Sequence, residues 1–210
     1  RDGTNTDALQ IRARALIAMK QVSMALGLRK LLYADPVQVV ERRLELAQAL
    51  AMSGFVGHTE GEFTDAVRAH PRNAEVWIAY ANWYMARRQP NRAEMIIRQA
   101  LEINSSNAEL HASIADAFEQ QGKLGSALTA YRVASKLNPK RPAYEDELAR
   151  LEFMQGDPLS AILRWQRIVQ EHPDAERPIR RLALAYAIAD EPDKATLLLQ
   201  SLLTRHPEDE

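Results

Sequence analysis

Apolar residues recur along this chain with the period of a helix and break off at regular places. Trp77, Tyr80, Ala81 and Tyr84 stand at i, i+3, i+4 and i+7, the buried stripe of an amphipathic helix. Gln89-Pro90 interrupts the stripe, and Ala93, Ile97, Ala100 and Leu101 resume it. Two helices joined by a tight turn are predicted. The small Ala81 and Ala93 let them approach closely, while Trp77, Tyr84 and Ile97 fill the space around the contact.

The hairpin repeats. Ala47, Ala81, Ala115, Ala149 and Ala183 follow one another at intervals of 34 residues, and Ala93, Ala127, Ala161 and Ala195 keep step twelve residues after the second to fifth of them. Pro71, Pro139, Pro173 and Pro207 close the units, with Ser105 in the remaining place. Five units tile without insertion: 40–73, 74–107, 108–141, 142–175 and 176–209. A hairpin of this size cannot bury its apolar face alone, so the period predicts a stack. Turn residues keep the same phase. Pro90, Pro158 and Pro192 suit the first turn of a second helix, where the missing N–H has no helical partner. Gly54, Gly122 and Gly156 stand two residues before that place, where a helix end favours a left-handed residue, and Arg88 and Asp190 replace glycine in the other two units. Residues 1–39 are read as a degenerate N-terminal helical cap of two helices, with one long helix as the rival. Ala13 and Ala25 keep the twelve-residue spacing, Leu9, Leu16 and Leu32 suit the stripe, Arg12 interrupts it, and Asp35-Pro36 comes one residue early.

These residues carry a resemblance to the tetratricopeptide repeat family over roughly residues 40–209. Its signature places are filled by Trp77, Ala81, Tyr84, Ala93 and Ala100, then by Ala115, Phe118, Gly122, Ala127, Tyr131, Ala134 and Pro139. Later units match through Leu148, Ala149, Gly156, Ala161, Trp165 and Pro173, and through Leu182, Ala183, Tyr186, Ala195 and Pro207. The resemblance implies an all-α fold, an α-solenoid of antiparallel helix hairpins wound as a right-handed superhelix. Some places depart from the pattern: Thr59 replaces a small alanine, and Ile168 and Leu202 replace a late one. Glu152 occupies the place of Leu50, Tyr84, Phe118 and Tyr186. With Phe153 beside it, Glu152 is expected to turn outward on a locally rotated helix, because an unpaired buried charge is costly; burial with a partner is the alternative.

Composition narrows the chemistry. The net charge of −1 gives no global reason to expect nucleic acid, and the first 39 residues, with six Arg/Lys against three Asp, are only mildly basic. The absence of cysteine excludes disulfides, thiolate metal sites and a cysteine nucleophile, and leaves the compartment open. No apolar run approaches the ~20 residues of a membrane helix, so membrane insertion is not expected. The chain begins at Arg1, which marks it as an expected processed product or excised piece.

No cofactor or metal site is expected, and no catalysis. His70, His172 and His206 each precede a proline at a repeat boundary, about one repeat or more apart, and read as helix-end residues. His111 stands in the place of Trp77 and is expected to be partly packed. Acidic pairs such as Asp146 with Glu147 are read as solvated faces. Trp77 and Trp165 are read as core, whereas Trp83, one residue off the stripe, either packs on a neighbouring unit or stands partly exposed.

Binding of a protein or peptide is the expected function. The resemblance implies that the first helix of each unit lines a concave groove. Carried onto this chain, the outward places are Gln48 and Met52; Ile78, Asn82 and Met85; Glu109, Ala112, Asp116 and Glu119; Ala143, Asp146 and Arg150; and Arg177, Arg180 and Leu184. Such a groove would be apolar at its start, acidic in its middle and basic at its end, complementing a polarised amphipathic partner. Charge reversal at Arg177 and Arg180 is expected to weaken binding without loss of helix. The family's carboxylate clamp for chaperone tails is not matched: Asn82 fits one place, but Ile78, Ser113, Ala143 and Glu147 occupy others. Phe153-Met154-Gln155-Gly156 and Ala161-Ile162-Leu163-Arg164-Trp165-Gln166 are similar to the repeat domains of bacterial cytochrome c maturation factors, which hold the tail of an apocytochrome. That makes such an assembly factor the alternative, beside a recruitment module of a larger enzyme. Leu197-Leu198-Leu199 and Leu202-Leu203 near the end, with no polar closing helix after them, raise the expectation of further chain or of self-association.

Overall fold

The computed structural model describes the backbone of residues 3–205 and the side chains of 7–204; His206 and Pro207 lie outside the described residues. The described residues form thirteen helices and no strand. The chain divides into two compact units, Arg1–Ser105 and Ser106–Glu210.

The first unit holds α1 (Gly3–Ala18), α2 (Val22–Gly27), α3 (Arg29–Leu32), α4 (Val39–Met52), α5 (Val56–Ala69), α6 (Ala74–Ala86) and α7 (Pro90–Ile103). Helix α4 pairs with α5 and α6 with α7, while α1 packs on α2, α3 and α4. Where two helices were expected before residue 39, three occur, because the chain is interrupted at Leu28 between α2 and α3. Ala13, Ile17, Val22, Ala25, Leu32, Leu46 and Leu50 form the core under these elements. The second unit holds α8 (Ala108–Gln120), α9 (Leu124–Leu137), α10 (Pro142–Met154), α11 (Pro158–Glu171), α12 (Glu176–Ile188) and α13 (Pro192–Arg205). Here α8 pairs with α9, α10 with α11 and α12 with α13; α9 also meets α10, and α11 meets α12. Ala149, Ala161, Trp165, Leu182, Ala183 and Tyr186 lie in one buried cluster.

Every hairpin turns through three residues, and the middle one is left-handed. Gly54, Gly122 and Gly156 have φ of 81°, 73° and 85°, and Arg88 and Asp190 take the same conformation at 56° and 61°. Lys20 does so too, at 62°, between α1 and α2 and 34 residues before Gly54. In each turn the next N–H reaches back to a carbonyl of the preceding helix: Gln21 to Leu16, Phe55 to Leu50, Gln89 to Tyr84, Lys123 to Phe118, Asp157 to Glu152 and Glu191 to Tyr186, at 2.8–3.0 Å. This is the Schellman closure of a helix end. At the opposite ends, Asn73 and Asn107 cap α6 and α8 by accepting from the amides of Glu75 (2.9 Å) and Leu110 (3.0 Å).

Candidate partner-binding faces

In the first unit three of the expected residues share one side of α6. At about 100° per residue, Ile78, Asn82 and Met85 fall within about 60° of one another. Asn82 is exposed, and Ile78 and Met85 are half-buried. On neighbouring α4, Gln48 is exposed and Met52 is 81% exposed. Trp83 resolves both ways: its ring lies against Phe63, Tyr80 and Tyr84 at 4.7–6.2 Å between centroids, and the residue is only half-buried, with the Arg87 guanidinium over the ring. Thr59 fits its alanine place by turning its hydroxyl to the Phe55 carbonyl, 3.0 Å away. Glu62 was missed by sequence reasoning. It is buried, accepts from the Tyr33 hydroxyl at 2.8 Å and pairs with Arg29; burial and this carboxylate both push the Tyr33 hydroxyl pKa up.

In the second unit the outward charges pair with one another. Glu109 of α8 meets Arg141, the N-cap residue of α10, at 2.7 Å. Glu119 of α8 meets Arg150 of α10 at 2.5 Å, and Arg150 also holds Glu147 at 2.6 Å. Burial alone would lower the Arg150 pKa; the bonds to Glu119 and Glu147 outweigh it and raise it. Asp116 is an acceptor for the Tyr131 hydroxyl. The protein around its carboxyl raises its pKa despite that bond.

Asp146 corrects the expectation of a solvated acidic face. It is 1% exposed. Its carboxylate accepts from the Trp165 indole N–H at 2.9 Å and from Arg177 at 2.9 Å, and pairs with Arg181 at 2.8 Å. Glu147 joins the same two arginines, at 2.7 Å and 3.3 Å. Arg177 therefore acts as a bolt between α10 and α12, and its reversal would set a carboxylate against Asp146. Arg180 stays exposed, with Glu176 3.4 Å away. Glu152 also departs from its expected outward turn. Its side chain is largely buried and is held by Arg164 at 2.7 Å, because the guanidinium supplies the partner that makes burial tolerable. Arg164 reaches Glu145 as well, at 2.6 Å.

The expected acidic middle and basic end of the groove are thus largely neutralised within the unit. Acids of α8 face an arginine of α10, and acids of α10 face arginines of α12. Reading each helix face separately cannot reveal this; Arg181, which no outward stripe contains, was missed for that reason. What remains open beside Arg180 is apolar: Leu184 at 58% and Ile188 at 63% on α12, and Met154 on α10, whose sulfur lies 3.1 Å from Arg150.

Among the described residues no three His, Cys, Asp or Glu side chains stand together as a metal site, and no helix is long and apolar enough to cross a membrane. His70 and His172 are the residues closing α5 and α11, and His111 is half-buried. Trp77 and Trp165 lie in the core.

Solved structures share this architecture. MamA superposes with a TM-score of 0.65 at 18% identity, over 78% of this chain and 95% of its own. PilF of Pseudomonas aeruginosa gives 0.64 at 17% identity, over 97% and 93%. YrrB, described as a TPR protein with an unusual peptide-binding site, gives 0.59 at 15% identity, over 80% and 87%. The chain has the tetratricopeptide-repeat fold. No family model matches it. Among curated proteins, the tetratricopeptide-repeat chain is similar to the formate-dependent nitrite reductase complex subunit NrfG of Escherichia coli O157:H7, 28% identical over 108 residues. The match spans 50% of this chain and 54% of that relative, about half the length of each.

Proposed function

We propose that the protein is a non-catalytic scaffold that holds a peptide or helix of a partner protein on the outward faces of its first helices. The cap at 1–39 and the five units from 40–73 to 176–209 are its modular frame. The observation that carries this reading is the division of labour on those faces: charges are engaged by neighbouring helices, while apolar side chains are left open. Met52, Ile78, Asn82 and Met85 in one unit, and Met154, Arg180, Leu184 and Ile188 in the other, are the contacting residues. Gln48 and Asp116 flank them. Glu109, Glu119, Asp146, Arg150 and Arg177 hold the frame. The preferred partner is apolar-led, with charge used for orientation rather than anchoring.

Peptides selected from a displayed random library test this. Met85→Glu combined with Leu184→Glu should weaken the selected peptides at least about tenfold, or ~1.4 kcal/mol, with unchanged helical circular dichroism. Unaltered affinity would sink the assignment.

A second reading, assembly of a c-type cytochrome, is supported by the likeness to NrfG together with the similarity of residues 153–156 and 161–166 to maturation factors. Fluorescence anisotropy with a C-terminal apocytochrome peptide separates the two. Binding no tighter than that of a scrambled peptide would remove the second reading and leave the first.

A further inference from the structure

Tyr84 points away from the outward stripe of α6. At about 100° per residue it stands about 120° round the helix from Ile78. On that side Glu60 of α5, Tyr84, and Arg92, Met95, Ile96 and Gln99 of α7 line a cleft of about 340 Å³. The Tyr84 hydroxyl donates to Glu60 Oε1 at 2.5 Å. Arg92 lies 5.5 Å from the Tyr84 ring centroid and 3.9 Å from the same carboxylate oxygen. Met95 is 62% exposed, Gln99 is exposed and Ile96 is half-buried.

At the equivalent positions 68 residues later the chain itself supplies a guanidinium. Arg164 stands in the place of Ile96 and Glu152 in that of Tyr84. The chain's own guanidinium bridges Glu152 and Glu145 at 2.7 Å and 2.6 Å. Ile96 has no such reach, and the first-unit cleft stays open.

We propose that this cleft takes one large apolar side chain from an extended segment of a partner protein. The thioether of Met95 and the side chain of Ile96 receive it above the buried Tyr84, and the volume suits a leucine- to tryptophan-sized residue with its adjoining main chain. The charges select a neutral occupant. Glu60 and Arg92 cancel, so either sign of ligand charge meets as much repulsion as attraction. A peptide unit offers an N–H for Glu60 and a C=O for Arg92 or Gln99. The site lies on a different face from the one assigned above, so a long partner would touch the protein at two places.

The six methionines make one experiment read both sites. In protein labelled with methyl-13C methionine, Met95 reports the cleft, while Met52, Met85 and Met154 report the outward faces. The probe is a blocked pentapeptide with leucine flanked by glycines, beside the same peptide with alanine. The leucine peptide should shift Met95 saturably and at least fivefold more tightly than the alanine peptide, and Gln99→Trp, at an exposed position, should abolish the shift. Absence of a saturable Met95 shift up to about 10 mM peptide, equal binding of the alanine peptide, or persistence in Gln99→Trp overturns the proposal. So does an equal shift with free leucine. Movement of Met52, Met85 or Met154 alone overturns the cleft and leaves the outward-face reading standing.

Discussion

A single backbone position shows how far one residue can be read. The middle of the hairpin turn is left-handed at Gly54, Gly122 and Gly156, and glycine there is legible because it alone adopts that conformation without steric cost. Arg88 and Asp190 are legible only through register, and Lys20 was not read at all, since a lysine says nothing about φ. Each of these three side chains carries roughly 1 kcal/mol of strain, offset in part by the smaller entropy of a non-glycine unfolded chain. Arg88→Gly and Asp190→Gly should therefore raise stability by up to about 1 kcal/mol, and Gly122→Ala should lower it by about that much. Urea midpoints at constant slope would check this, and a loss on Arg88→Gly would contradict it.

Helix by helix, the second unit is held as much by its buried acids as by its alanines. Asp146 ties α10 to Trp165 of α11 and to Arg177 and Arg181 of α12. Removing that carboxylate strips the buried Trp165 indole N–H of its acceptor and leaves Arg177 and Arg181 to Glu147 alone, at a cost of roughly 2 kcal/mol. Asp146→Ala should cost about that, read from the urea midpoint of tryptophan fluorescence, whereas Arg180→Glu, at an exposed position, should change stability by less than about 0.5 kcal/mol. Glu145 adds a pH dependence. Burial would raise its carboxyl pKa, but the Ser135 hydroxyl, Arg164 and Arg167 outweigh burial and hold it below its usual 4.5. The folded state therefore releases that proton more readily than the unfolded chain. The stabilisation is fully present above about pH 4.5 and disappears as pH falls through the lower folded value. Glu145→Gln should flatten that part of the acid-unfolding curve; an unchanged curve would assign the loss to other carboxylates.

At the scale of the whole molecule, the strongest helix contacts within each unit join neighbours in sequence, or α1 to α3 and α4, and α4 to α6. Local contact patterns close small loops and fold quickly. Refolding followed by tryptophan fluorescence should have its main phase in milliseconds; a main phase of seconds would mean that distant contacts control the barrier. The fold was legible because the same small and apolar residues return every 34 positions, and steric packing between paired helices depends only on which residues share a stripe. The candidate faces were legible as stripes for the same reason, and Met52, Asn82 and Leu184 are indeed exposed. Their charge was not. Whether Asp146 meets water or Arg177 depends on what the next helix places within about 3 Å, and Coulomb and desolvation terms change steeply over that distance. Periodicity along one helix carries no such information. The open cleft at Met95 was hidden likewise, since a void is defined by side chains from three helices and by the absence of a long one at Ile96. The sequence by itself determined the repeat, its turns and its packing stripes, because these follow from local sterics. Only the tertiary structure decided which charges are neutralised and which apolar surfaces stay open, because those depend on distances between elements.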